Sequence, residues 1–237
     1  MKIDRIHVHD TGIKSPLNVA VIADFHGRPW QKIADALLSE KPDMIALPGD
    51  ITEGSPEKSQ ETLAFLKHLS SIAPTFYSLG NHERLPTTDK LSSFASTGAV
   101  LLNNTFVKMN GIAVGGLTSG YLTARCHTDR LHTPKPDIEW LRDFSKSGSH
   151  RILLSHHPEY YEPYLRDLPI DIVLSGHAHG GQMRLFGRGI FAPGQGFLPR
   201  YTSGVYDGRL IVSRGLSNTV PVPRLWNPTQ LILLTVN

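Results

Sequence analysis

Short apolar runs alternate with segments of helical period over the first hundred residues. Leu17–Ala23 (LNVAVIA) is continuous, apolar and rich in branched side chains, which predicts a buried strand. Pro29–Glu40 puts Ile33, Ala36 and Leu37 on one face and predicts a helix. Met44–Pro48 follows as a second strand, Pro56–Ser70 as a second helix with Leu63, Leu66 and Leu69 in step, and Pro74–Leu79 as a third strand. Thr88–Thr97 predicts one further short helix. A β-α-β-α-β order of this kind implies parallel strands joined by right-handed crossovers.

The pattern changes in the second half. Phe106–Leu117 holds Asn110-Gly111 between apolar stretches, and Val205–Ser213 holds Asp207-Gly208; both predict hairpins. Arg151–Ser155 and Ile172–Ser175 are short apolar strands that end at polar residues, and Leu231–Val236 is a closing strand. Two mixed sheets packed face to face with helices outside are expected, in one domain over residues 1–237. The segment from Thr118 to Pro136 has no period and is expected to be a loop, a candidate to contact substrate. Trp140 and Trp226 are expected to anchor the core. His7 and His9 are expected on an edge strand facing water.

Composition narrows the classes. With 237 residues and 40% hydrophobic, the chain can bury a large core, and a net charge of +3 spread along it argues against binding a nucleic-acid polymer. Its one cysteine, Cys126, excludes an internal disulfide. No signal-like or membrane-spanning run is present in the sequence, so a cytoplasmic location is expected.

Histidine changes the picture most. Of twelve, six fall in short segments that also carry Asp, Asn and Gly, each after an apolar strand. VIADFHG offers Asp24 and His26, ALPGD offers Asp50, SLGNHE offers Asn81 and His82, LLSHHP offers His156 and His157, and LSGHAHGG offers His177 and His179. Ligands in open α/β sheets collect at the carboxyl ends of strands. Nitrogen and oxygen donors without thiolate suit Mn, Fe or Zn, and seven of them exceed what one open tetrahedral ion needs. Two ions sharing a carboxylate are expected, which is the arrangement of a two-metal hydrolase.

DFH, GD, GNHE, H-x-P and GHAH in this order resemble the calcineurin-like metallophosphoesterases, from about Val19 to His179. The tail, SRGLSNTVPVPRLWNPTQLILL, is similar to the small bacterial branch of YkuE- and YaeI-like phosphodiesterases. The resemblance implies a four-layer α/β/β/α sandwich. It implies one metal on Asp24, His26 and His179, a second on Asn81, His156 and His177, and Asp50 bridging them. A metal-bridging hydroxide would be the nucleophile, and His82 would be the acid facing the scissile phosphate. The substrate would be a small or lipid-linked phosphate ester, most readily a diester. A phosphomonoesterase or a lipid-linked pyrophosphatase would use the same centre, and a metal-holding scaffold is the reading of another class.

Several neighbours stay open at this point. Glu83 stands where many relatives carry Asp, and its carboxylate could hold His82 charged and oriented. His157 is expected behind the ligands or at the surface. Arg28 and Arg84 lie just beyond motif residues, where a guanidinium can meet phosphate oxygens or simply face water.

Overall fold

The computed structural model describes residues 1–9, 12–13, 15–52, 56–83, 93–122, 133–148, 150–218 and 222–237, with residues 56–58 described at the backbone only. In chain order the strands are β1 (Lys2–Val8), β2 (Leu17–Val21), β3 (Met44–Pro48), β4 (Thr75–Ser78), β5 (Val100–Leu102), β6 (Thr105–Met109), β7 (Ile112–Leu117), β8 (His150–Ser155) and β9 (Ile172–Ser175). Four two-residue strands follow, β10 (Arg184–Leu185), β11 (Arg188–Gly189), β12 (Phe191–Ala192) and β13 (Gly196–Phe197). The last three are β14 (Gly204–Tyr206), β15 (Leu210–Val212) and β16 (Gln230–Val236). The helices are α1 (Gln31–Glu40), α2 (Pro56–Ile72) and α3 (Ile138–Phe144).

Among the described residues the long strands form two six-stranded mixed sheets, ordered β1-β16-β2-β3-β4-β5 and β14-β15-β9-β8-β7-β6. Val19, Val21, Met44, Ala46 and Phe76 of the first meet Val114, Ile152, Leu154 and Leu174 of the second in a shared apolar core. The outer face of the first sheet is covered by α1 and α2 through Ile33, Leu37, Phe65, Leu66 and Leu69. The second is covered by α3 and the turns at 158–165, through Leu141, Phe144, Tyr160, Tyr161 and Leu165. These are the four layers, α/β/β/α. Residues on both faces of β3 are buried, which is why it reads as an unbroken apolar run.

Local chemistry sets the element ends. Helix α1 stops at Lys41, which takes a left-handed conformation (φ 48°) and donates its N–H back to the Leu37 carbonyl, just before Pro42. The β6–β7 turn places Asn110 (φ 50°) and Gly111 (φ 83°) in the left-handed region that a two-residue hairpin requires. Helix α3, not expected from the sequence, begins where the Asp137 carboxylate accepts the Trp140 N–H at 3.0 Å. Most of the expected helix at Thr88–Thr97 lies outside the described residues, although 93–95 are helical. Trp140 is half-buried against the outer core, but Trp226 is 77% exposed, so the expectation that it anchors the core is corrected. His7 and His9 are exposed at the edge strand β1, as the alternation there suggested. No described helix is long and apolar enough to cross a membrane.

Candidate metal centre

Strands β2, β3 and β4 run parallel, as do β8 and β9, and the motif residues leave their carboxyl ends on one side of the sandwich. Beyond β2 the chain stays latched to its neighbour, with Asp24 N donating to the Gly49 carbonyl and His26 N to the Asp50 carbonyl. The turns that follow are unusual. Asp24 (φ 52°), His26 (φ 52°), Asp50 (φ 54°), His177 (φ 63°) and His179 (φ 45°) all occupy the left-handed region. Such conformations cost on the order of 1–3 kcal/mol each and persist where surrounding structure enforces them, typically at functional sites. Glycine makes the close approach possible: a Cβ on Gly49 would lie 2.7 Å from the His156 ring, and one on Gly80 would lie 2.2 Å from Asp50 Oδ1.

These turns gather two clusters, Asp24 with His26 and His179, and Asp50 with His156 and His177, each with donor atoms within 4.8 Å of one another. Asp50 stands between them. Its Oδ1 accepts the His82 N–H at 2.9 Å. Its Oδ2 lies 3.2 Å from His156 Nε2 and 3.7 Å from His26 Nε2, without a hydrogen-bond partner. Asn81 Oδ1 lies 3.1 Å from His156 Nε2 and completes the group.

The far sides of the rings are tied down. His156 Nδ1 donates to the Pro48 carbonyl at 2.9 Å and His179 Nδ1 to the Ser217 carbonyl at 3.3 Å, which turns both Nε2 atoms toward the carboxylates. Asn227, on the tail, donates to the His179 carbonyl at 2.7 Å. Asp24 Oδ1 accepts the His177 N–H at 3.1 Å. Asp24 Oδ2, both His26 ring nitrogens, Asp50 Oδ2 and His177 Nε2 are buried without hydrogen bonds. Buried polar atoms are normally paired because leaving one unmade costs about 1–3 kcal/mol. Orphaned nitrogen and carboxylate-oxygen atoms on residues of both clusters fit a metal centre.

The electrostatics agree. Burial works against charge on His156, but Asp50 and then Asp24 outweigh it and lift the imidazole to about 10. Burial favours an uncharged Asp50, yet His156 and His26 hold it well below the usual carboxylate range. Burial is the main force bringing His26 down to about 4 and holding His177 far below its usual value. Asp50 is thus held charged and His26 and His177 neutral, the forms that bind cations, while a cation beside His156 would take the place of the proton that Asp50 holds there.

One neighbour differs from expectation. Glu83 does not hold His82. Its buried carboxylate accepts the backbone N–H groups of Asp50 (2.9 Å), Ile51 (2.5 Å), Thr52 (3.0 Å) and Gly80 (2.6 Å). The chain bends at 81–83, which carries Glu83 back onto the Asp50 loop while His82 stays partly exposed. Burial and the neighbouring Asp50 push its carboxyl up to about 7. Glu83→Ala leaves four amides without an acceptor and is expected to lower stability by about 3 kcal/mol, or roughly 6–12 °C in Tm, measured by calorimetry. His157 is fully buried behind the ligands His156 and His177, the first of its two expected places, its Nε2 2.7 Å from Ser119 Oγ and its Nδ1 3.2 Å from Glu159. Glu159, which belongs to none of the sequence motifs, also approaches His177 Nε2 at 3.6 Å.

Arg28 donates to the Asn218 carbonyl at 2.9 Å and joins two loops. Arg84 lies outside the described residues, as do Cys126 and the middle of the Thr118–Pro136 segment. His82 is partly exposed, its Nε2 4.0 Å from Asp50 Oδ2, and it lines a cavity of about 710 Å³ that opens onto Asp50, Asn81, His177 and His179. The opposite wall was missed in the sequence; it comes from the stretch GIFAPGQGF, whose aromatic residues flank a turn-rich centre.

A family model of the calcineurin-like phosphoesterases matches residues 17–181, and the chain belongs to that family. The metallophosphoesterase Cj0846 of Campylobacter jejuni is 28% identical over 99% of this chain and 63% of its own length. The phosphodiesterase YaeI of Escherichia coli is 31% identical over 72% of this chain and 63% of its own. A metallophosphoesterase of Helicobacter pylori is 30% identical over 77% of this chain and 50% of its own, so the chain spans only half to 63% of these relatives. Among solved structures, TT1561 of Thermus thermophilus aligns with a TM-score of 0.46 at 16% identity, over 68% of this chain and 82% of that one.

Proposed function

We propose that the chain hydrolyses phosphate esters, diesters ahead of monoesters, at a pair of cations. The observation that carries this reading is the Asp50 carboxylate, whose bare Oδ2 faces both clusters. One cation would take Asp24, His26 and His179, the other Asn81, His156 and His177, with Asp50 shared. The donor set suits Mn, Fe or Zn. Such ions, when bound, supply an acidified water and a clamp for phosphate oxygens.

The remaining work falls to the chain. His82 stands at the cavity side, edge-on to the His26 ring with centroids 4.8 Å apart, where it can hand a proton to the departing oxygen. Asn81 and His82 border the same space, so the phosphate would lie against both. The preference for diesters is supported by the relative YaeI, which is named a phosphodiesterase. A phosphomonoesterase or lipid-linked pyrophosphatase would use the same residues.

Activity recovery tests the reading. After chelation, Mn, Fe, Zn and Co are returned singly and turnover of bis(p-nitrophenyl) phosphate is compared with that of p-nitrophenyl phosphate. The diester is expected to recover more, with about two ions held per chain by elemental analysis. Faster monoester turnover reverses the preference. Metal uptake with no hydrolysis of either ester, or of a pyrophosphate, makes the chain a scaffold.

A further inference from the structure

The 710 Å³ cavity beside the metal-ligand clusters has two unlike walls. One carries Asp50, Asn81, His82, His177 and His179; the other carries Met183, Ile190, Phe191, Pro193, Phe197 and Val222, and Tyr121 and Gln182 add polar groups to the lining. The apolar wall is built by the small hairpins β10–β11 and β12–β13, where Phe191 and Phe197 face each other across the pair with ring centroids 5.4 Å apart. Asp50 is the only Asp, Glu, Lys or Arg side chain among the described residues that line the cavity. The NH2 group of Gln182 is already spent on Asn218 Oδ1 and the Val222 carbonyl. A nucleotide or sugar phosphate lying along Ile190, Phe191 and Phe197 would leave its hydroxyls and amides against apolar side chains, at the cost of unmade hydrogen bonds.

The apolar wall does not end at the cavity mouth. Phe197, which lines it, is 80% exposed, and Leu198, whose N–H bonds to the Ile190 carbonyl, is 79% exposed. Phe186 at the tip of the β10–β11 hairpin is 96% exposed, and Trp226 follows Leu225, whose carbonyl accepts from Arg184 on the same hairpin. Phe186, Leu198 and Trp226 all have φ near +50°. A bulky apolar side chain gains nothing from water and is disfavoured in that conformation, so neither burial nor backbone preference accounts for these three. Exposed apolar patches continuous with a pocket mark binding surfaces.

We propose that the substrate is a phosphoester bearing a long aliphatic chain. Its phosphate would lie against Asp50, Asn81 and His82, and its chain would run along Ile190, Phe191 and Phe197 toward the exposed rim. The proposal rests on the phosphoesterase reading and gives that reading its substrate class.

A chain-length series separates the two. Metal-reconstituted protein is given methyl, hexyl and dodecyl p-nitrophenyl phosphates below their micelle concentrations, and the binding of methyl and dodecyl phosphate is measured by calorimetry. Each buried methylene is worth about fourfold in affinity, so KM and Kd are expected to fall by at least about 100-fold from methyl to dodecyl while kcat changes little. Phe197→Asp, at a side chain mostly in water already, is expected to bring the dodecyl-to-methyl ratio close to one. Equal KM and Kd across the series overturn the proposal, as does a Phe197→Asp protein with the parent ratio. If no ester is hydrolysed the phosphoesterase reading fails, and the calorimetric series then decides the cavity alone.

Discussion

Asp50→Asn is expected to lower kcat/KM on a phosphodiester by at least about 10³-fold and to release one of two bound cations, as read by kinetics and elemental analysis. The substitution keeps the shape of the side chain and an oxygen for the His82 N–H, so the turn is retained. What it removes is charge. Asp50 Oδ2 lies among His26, His156 and His82, at 3.7, 3.2 and 4.0 Å, and Asp24 belongs only to the neighbouring cluster. A neutral amide between two cations leaves them to repel each other without a shared anion, a change worth several kcal/mol in so buried a place. Circular dichroism is expected to match the parent. A well-folded Asp50→Asn protein that keeps both ions and the parent rate would remove the shared carboxylate from the centre.

His82→Ala is expected to do something different: keep both ions and lower kcat by about 10²–10⁴-fold. Its ring belongs to neither cluster of candidate ligands and is 39% exposed on the cavity side, so little packing is lost with it. The deficit should depend on the leaving group. An aryl ester with a stable phenolate needs little protonation and should lose least, whereas an alkyl leaving group should lose most. A uniform deficit across leaving groups would mean that His82 binds phosphate rather than delivering a proton. An unchanged rate would remove it from the reaction.

The sequence disclosed the frame of the site because each candidate ligand follows a buried strand with a largely apolar centre. The strands are β2, β3, β4, β8 and β9, and the candidate ligands stand within a few residues of their carboxyl ends. Asn110-Gly111 announced its hairpin because few other pairs tolerate two left-handed residues in succession. Less visible was the backbone of the centre itself. Asp24, His26, Asp50, His177 and His179 carry no outward sign of a left-handed conformation, which tertiary contacts impose. Glu83 was misplaced because the chain bends at 81–83 and turns its carboxylate onto the Asp50 and Gly80 amides. Helix α3 spans only seven residues, and β10–β13 only two each, too short for any period to register. Trp226 looked like a core residue by type alone, and its surroundings decided otherwise.

Strand β16 pairs with β1 on one side and β2 on the other. A ribosome delivers β1 and β2 early, yet their common neighbour emerges only after the whole second sheet has been made. Until then both strands present open edges, the condition that invites stray pairing and the attention of chaperones. The stretch leading into β16 also carries Ser217 and Asn227, which seat His179. A nascent chain therefore gains a closed first sheet and a fully seated His179 in the same late event, and a partly made copy would have neither.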